Sequence, residues 1–325
     1  MIVITGGAGF IGSYLQAKFH ALGEETVVVD WLGHEGKWRN LQYHAPSCIV
    51  APENLDAFLA SETNIKAVFH MGAISETIAT DGDLVWHTNV TLSQKLWSWC
   101  AERDISFIYA SSAATYGSAS TKVEFSDDLS NLDKLRPLNL YGWSKHAFDL
   151  WVAKQVQKGR KTPKQWVGLK FFNVYGPNEY HKGKMISVIK VKYDDIVNGS
   201  PAKLFKSASV SIPDGQQARD FIWVGDVVDV MIWLYENPHV NGLFNCGTGV
   251  ARTYLELAYA ICDSLGKPRE VDFIDMPANL LGNYQNFTCA NMNNIRKCGY
   301  DKYFTTLEDG INTYIDKFLK GSIYF

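Results

Sequence analysis

Apolar positions divide the chain into two stretches with different rhythms. Short β-rich runs at Ile2–Thr5, Thr26–Asp30, Cys48–Val50, Ala67–Met71, Phe107–Ser111 and Val167–Phe172 alternate with segments of helical spacing. Between the first two runs, Ile11, Tyr14, Leu15, Phe19 and Leu22 recur at helical intervals, and Gly23 closes the pattern. Val27-Val28-Val29 is continuously apolar, as a parallel strand covered on both faces requires. This alternation predicts an α/β fold with a doubly wound parallel sheet of the Rossmann type. After about residue 173 the alternation lapses. Gly176-Pro177, Gly199–Pro201 and Pro213–Gly215 punctuate shorter pieces, and Ser207–Gln217 reads as a loop. Helical patterns return near Asp226–Glu236, Thr253–Leu265 and Thr306–Leu319. With no internal repeat and no long linker, a first domain over 1–170 and a smaller one over 171–325 are expected to interleave. Segments near 220–248 are expected to return to the sheet.

Composition narrows the classes without choosing among enzymes. The 325 residues are 46% hydrophobic and 20% charged, an ordinary globular balance. At about 150 residues per domain, that length suits two domains with a large core. Thirty-one basic against 34 acidic side chains leave a formal charge of −3, which gives no electrostatic case for nucleic acid or an anionic membrane. No apolar run approaches the roughly 18 residues that span a bilayer. Met1-Ile2-Val3-Ile4-Thr5 runs straight into a strand with no basic leader, so a cytoplasmic location is expected. The six cysteines include no C-x-x-C pair and read as reduced, mostly buried thiols. The eight histidines include no H-x-x-x-H, and no metal site is expected.

The segment Thr5-Gly6-Gly7-Ala8-Gly9-Phe10-Ile11-Gly12 leaves the first strand and opens the first helix. Its glycines permit a tight turn and let backbone N–H groups approach a pyrophosphate at the helix N-terminus, where the dipole favours negative charge. A lone G-x-G-x-x-G is weak. Here the strand, the helix and a carboxylate closing the next strand, Asp30, stand where a dinucleotide fold needs them. Asp30 can accept the adenosine ribose hydroxyls, which favours NAD. Lys37 and Arg39, just downstream, could instead neutralise a 2′-phosphate, so NAD and NADP both remain open.

Tyr141-Gly142-Trp143-Ser144-Lys145 sets Tyr141 and Lys145 one turn apart on a helix face. A neighbouring ammonium lowers a phenol pKa and so suits a tyrosine general base. Upstream, Ala110-Ser111-Ser112-Ala113-Ala114-Thr115-Tyr116-Gly117 leaves a strand end, where open α/β sheets place their sites. Through T-G-G-x-G-F-I-G, A-S-S-x-x-x-Y-G and Y-x-x-S-K the chain resembles the extended short-chain dehydrogenase/reductase family along its whole length. That resemblance implies a dinucleotide-binding domain at 1–170, a substrate-binding domain at 171–325, and a catalytic set containing Ser112, Tyr141 and Lys145.

Further segments indicate a branch. Dehydratases of the family carry an Asp-Glu pair where this chain has Ala113 and Ala114, so reversible hydride transfer is expected rather than elimination. Phe172-Asn173-Val174-Tyr175-Gly176-Pro177, His181-Lys182-Gly183, Arg219-Asp220-Phe221 and Gly282-Asn283-Tyr284-Gln285 are similar to the ADP-glyceromanno-heptose 6-epimerase branch. The resemblance implies a nicotinamide-dependent isomerase of nucleotide-sugar and lipopolysaccharide metabolism. It would invert C6 of ADP-heptose, or act on a related nucleotide sugar, by transient oxidation to a 6-keto sugar and re-reduction. Because C6 lies outside the ring, rotation about C5–C6 can present its opposite face, and the oxygen then needs a second proton donor. By the same carry-over that donor is Lys182.

The cofactor is expected to be NADP, with NAD possible. The implied cofactor set is Gly6, Gly9, Phe10, Ile11, Gly12, Asp30, Trp31, Lys37, Met71, Gly72, Ala73, Ile74, Ser75, Asn89, Tyr141, Lys145 and Val174. The implied substrate contacts are Ser112, Asn173, Lys184, Phe205, Arg219 and Tyr284. The branch also implies a homo-oligomer, possibly a pentamer. Departures stand at Lys184, where the branch has serine, at Lys170, where arginine is common, and in the long Ser207–Gln217 stretch; they bear on the exact nucleotide and sugar. A UDP-hexose 4-epimerase is the rival enzyme reading, and a redox-sensing dinucleotide-binding module the rival without catalysis.

Overall fold

The computed structural model describes residues 1–34, 36–277 and 284–325. Among them the main sheet has seven strands, all parallel, in the order Gly242–Cys246, β6, β5, β4, β1, β2, β3. The labelled strands are β1 (Ile2–Thr5), β2 (Thr26–Val29), β3 (Cys48–Val50), β4 (Ala67–His70), β5 (Ser106–Ser112) and β6 (Trp166–Phe171). All four residues of β1, β2 and β4 are buried, which explains their uninterrupted apolar runs.

Helices cover both faces: α1 (Phe10–Ala21), α2 (Leu55–Ser61), α3 (Gly82–Trp86), α4 (Leu92–Arg103) and α5 (Leu140–Gln157). A π turn over His87–Thr91 joins α3 to α4. Strand order reverses between β1 and β4, so the carboxyl ends of these strands open a crevice where such sheets bind ligands.

The later part of the chain adds small two-stranded pieces. The strand β7 (Asn173–Tyr175) pairs in parallel with Phe221–Trp223, and Ala202–Phe205 pairs with Val271–Ile274. Ser207–Gln217 carries no helix or strand. The helices Val224–Glu236 and Tyr254–Leu265 form as the periodicity indicates. The pattern over Thr306–Leu319 is split: Thr306 caps the helix Leu307–Tyr314, and Ile315–Leu319 continues as a π turn. All six cysteines are free, with Cys48 and Cys298 exposed and the other four buried.

Candidate active site

The glycine turn is built by close backbone approach. Gly6 adopts a φ of +67°, and a Cβ there would lie 2.6 Å from the backbone of Gly72 at the end of β4. At Gly12 a Cβ would come within 2.3 Å of the Gly6 carbonyl oxygen. Gly9 caps α1 without a side chain, and the first turn holds no acidic residue. The positive end of the helix is therefore bare and its first N–H groups have no side-chain acceptor, a cradle suited to a pyrophosphate.

Just past the end of β2, Asp30 leaves the ladder and accepts the Ala8 N–H at 3.0 Å. Lys37 donates to the other carboxylate oxygen at 2.7 Å and to the Trp31 carbonyl at 2.9 Å. Trp31 itself is exposed and donates to Glu53. Asp30 and Lys37, which the sequence offered as competing indicators of cofactor type, thus form one ion pair.

Tyr141 opens α5, whose N-cap Asn139 accepts the Gly142 N–H at 2.8 Å. A Cβ at Gly142 would lie 2.7 Å from the Ala114 carbonyl oxygen, so only glycine lets α5 press against the turn that follows Ser112. This contact brings tyrosine and serine together. Burial raises the Tyr141 phenol, while a hydrogen bond with Ser112 pulls it back. Desolvation thus outweighs the lowering expected from the neighbouring ammonium. One turn further, buried Lys145 is brought down to about 8 by burial, which Asp149 on the next turn of the same face opposes.

Asp149 anchors a fully buried cluster. Its carboxylate accepts from Lys170 at 2.8 Å, Ser111 at 2.7 Å and Tyr109 at 3.0 Å. Lys170 also donates to Thr115 at 2.7 Å. Lys170 is therefore a partner of α5 from within the sheet, wholly excluded from solvent.

A second buried chain runs from β1 to α5 and was not legible in the sequence. The Thr5 hydroxyl meets His70 Nδ1 at 2.6 Å, and His70 Nε2 meets the Ser93 hydroxyl at 2.8 Å. Ser93 donates to the Asn89 carbonyl, and the Asn89 side-chain amide donates to Ser144, which donates to the Tyr141 carbonyl. Asn89 also grips Ile74 by both its N–H and its carbonyl, each at 2.9 Å, and so fixes the segment from Met71 to Ser75. Burial, followed by the charge of Lys145, lowers His70 to about 3, so it acts as a neutral connector. The resemblance marks Asn89 as a residue near the cofactor, but the π turn that carries it is invisible as periodicity.

Lys182 sits in a tight turn over Tyr180–Met185. Its ammonium lies 5.4 Å from the centroid of the Phe10 ring, and burial lowers its pKa against the opposing pull of Glu179. The side chain thus folds back on the glycine turn rather than into bulk water. Lys184 is exposed, and Ser75 is exposed beside half-buried Met71, Gly72, Ala73 and Ile74.

Asn173 is exposed at the start of β7, where its carboxamide oxygen accepts from Thr288; the next residue, Val174, is half-buried against the core. Phe205 is half-buried at the end of its strand. Arg219 is buried and carries no ion pair among the described residues; its guanidinium stands 4.9 Å over the Tyr284 ring and donates to the carbonyls of Gln285 and Ala218. Gly282 and Asn283 of the downstream motif lie outside the described residues. No cluster of three metal-ligating side chains occurs among those described.

A family model described as the NAD dependent epimerase/dehydratase family matches residues 2–247. The chain belongs to that family. An ADP-L-glycero-D-manno-heptose-6-epimerase of Fusobacterium nucleatum is 43% identical, the match covering 98% of each chain. The crystal structure of the Helicobacter pylori ADP-L-glycero-D-manno-heptose-6-epimerase superposes with a TM-score of 0.79 at 28% identity, over 97% of this chain and 95% of that one. A Thermus thermophilus UDP-glucose 4-epimerase, solved with NAD, shares the fold at a TM-score of 0.77 and 23% identity, over 99% of each chain. For a member of this family, the bare α1 terminus and the glycine cradle fit a nicotinamide dinucleotide.

Proposed function

We infer that the protein is an ADP-glycero-manno-heptose 6-epimerase, working in the cytoplasm on a nucleotide sugar with tightly held NADP. The observation that carries the reading is Lys182. A lysine with no functional reading in a hexose 4-epimerase is folded over Phe10 and lowered in pKa by burial. Near-full-length similarity to heptose epimerases supports the substrate. Pairing of Lys37 with Asp30 supports NADP, because it neutralises the carboxylate that would repel a 2′-phosphate. When bound, the nicotinamide supplies reversible hydride exchange at C6.

Gly6, Gly9, Gly12 and the N–H groups of Phe10 and Ile11 would hold the pyrophosphate. Asp30, Trp31 and Lys37 would line the adenosine end, and Gly72–Ser75, Asn89 and Val174 the nicotinamide end. Ser112 hydrogen-bonds the sugar oxygen, Tyr141 takes or returns its proton, and Lys145 steadies the phenolate. After rotation about C5–C6 the oxygen turns towards Lys182, which moves the proton for the opposite face. Asn173, Tyr284, Phe205 and Lys184 would border the sugar and nucleotide, and Arg219 would clamp the diphosphate.

The test follows C6 configuration by NMR after adding the D-glycero epimer to purified protein whose released cofactor has been identified by mass. Conversion is expected; an unchanged spectrum with cofactor bound refutes the assignment. Lys182→Met should block net epimerisation, whereas a 4-epimerase would keep its rate.

A pH profile gives a second check. Lys145 carries its charge below about 8 in the folded protein, well under the ordinary lysine value of 10.5. The epimerisation rate should therefore fall as pH rises through about 8. The folded state gives up this proton before the unfolded chain does, so the destabilisation from burying this group is relieved as pH rises from about 8 to 10.5. A rate that stays flat to pH 10 excludes the ammonium from the mechanism.

A further inference from the structure

The Lys182 turn is held by a residue outside every motif above. Asn178 is fully buried and adopts a φ of +72°, a left-handed conformation that a non-glycine residue takes only when its surroundings demand it. Its carboxamide oxygen accepts the Phe325 N–H at 2.9 Å, and its carboxamide N–H donates to the Ser13 hydroxyl at 3.0 Å. Ser13 in turn donates to the carbonyl of Phe10 at 3.1 Å, the residue on which the lysine rests. The Asn178 carbonyl accepts from Asn40 at 3.1 Å, and the same Asn40 amide reaches the Ala8 carbonyl at 2.9 Å and His181 Nδ1 at 3.2 Å. Phe325 is seated by stacking on Tyr14 of α1, centroids 3.8 Å apart and rings within 8° of parallel. On the far side of the turn, buried Glu179 accepts the Ser187 N–H and hydroxyl, closing the loop.

We propose that Asn178, locked by Phe325, Ser13 and Asn40, is the positioning residue that sets the Lys182 turn against the glycine turn and so fixes the second proton donor. The idea rests on the reading of Lys182 as that donor. Three chain segments distant in sequence converge on this one residue, Phe325 and Ser13 on its side chain and Asn40 on its backbone carbonyl, and each also touches the helix or turn beside Phe10. Slippage of the turn would move the ammonium relative to the sugar without touching Tyr141, Lys145 or Ser112. A displacement of about 1 Å at a reacting group costs on the order of a hundredfold.

Asn178→Gly tests this, because glycine keeps the left-handed backbone while removing the side-chain bonds to Ser13 and Phe325. Net epimerisation should fall by roughly tenfold to a hundredfold. One epimer should still reduce the bound cofactor at the wild-type rate, read by the absorbance of reduced nicotinamide, while the other fails. Lys182 should also be acetylated faster by a small amine-reactive reagent, measured by mass spectrometry. Equal loss of both half-reactions, or wild-type rates with unchanged labelling, overturns the proposal. Should Asn178→Gly fail to fold, Phe325→Ala decides, since it removes the Tyr14 stack and should shift the same readouts in the same direction. Lys182→Met runs in parallel: if it epimerises normally, the donor reading itself falls and this inference with it. If it is crippled while the Asn178 and Phe325 variants behave as wild type, only the positioning role is lost.

Discussion

Tyr141→Phe should lower the epimerisation rate by about 10²–10⁴-fold while leaving the protein folded and loaded with cofactor. The phenol hydrogen-bonds with Ser112, and burial raises its pKa, so it keeps a proton to give. Phenylalanine preserves the ring that α5 seats beside the Ala113–Tyr116 turn. Ser112 would still accept the Ala114 N–H at 3.1 Å, so the local turn should survive. The Asn89–Ser144–Tyr141 chain ends on a backbone carbonyl and is indifferent to the hydroxyl. The comparison is an NMR rate beside a denaturation curve. Retained turnover would remove tyrosine from the mechanism and revive the reading of a redox-sensing binding module.

Lys170→Met should cost about 3–5 kcal/mol of stability, because it strands the Asp149 carboxylate in an interior that excludes water. Lys170 and Asp149 are both wholly inaccessible, and the ammonium bridges Asp149 and Thr115. Tyr109 and Ser111 would remain as donors, but neither carries a charge to balance the carboxylate. A double variant, Lys170→Met with Asp149→Leu, should recover much of the loss, since a buried ion pair replaced by apolar groups of like volume is often nearly neutral. Denaturant midpoints for the two singles and the double settle it. A single-variant loss below about 1 kcal/mol would mean that the carboxylate takes up a proton or finds water instead.

Recognition of the site from sequence worked where the chemistry is contiguous. The glycine turn spans eight residues, and Tyr141 and Lys145 are one helical turn apart, so spacing alone places them. Boundaries missed by a residue or so for a physical reason. Asp30 and Met71 close the sequence runs but lie just beyond the strands, where the ladder ends and Asp30 turns back to the Ala8 N–H. Lys170 looked like a substitution in a substrate motif, yet its charge is spent on a helix partner 21 residues away. Nothing local to Asn40 announces that it meets Asn178, 138 residues later.

The sequence by itself determined the parallel sheet, the phosphate-cradling turn and the tyrosine–lysine pair. Each depends on hydrophobic period or backbone conformation over a few neighbouring residues. Only the tertiary structure decided which charges are free and which are paired, how Lys182 comes to rest on Phe10, and that one asparagine ties α1 to Phe325 at that point. Those outcomes depend on burial and on contacts between distant segments. Desolvation, which shifts Lys145, His70 and Lys182, is a property of the packed interior that no stretch of residues carries on its own.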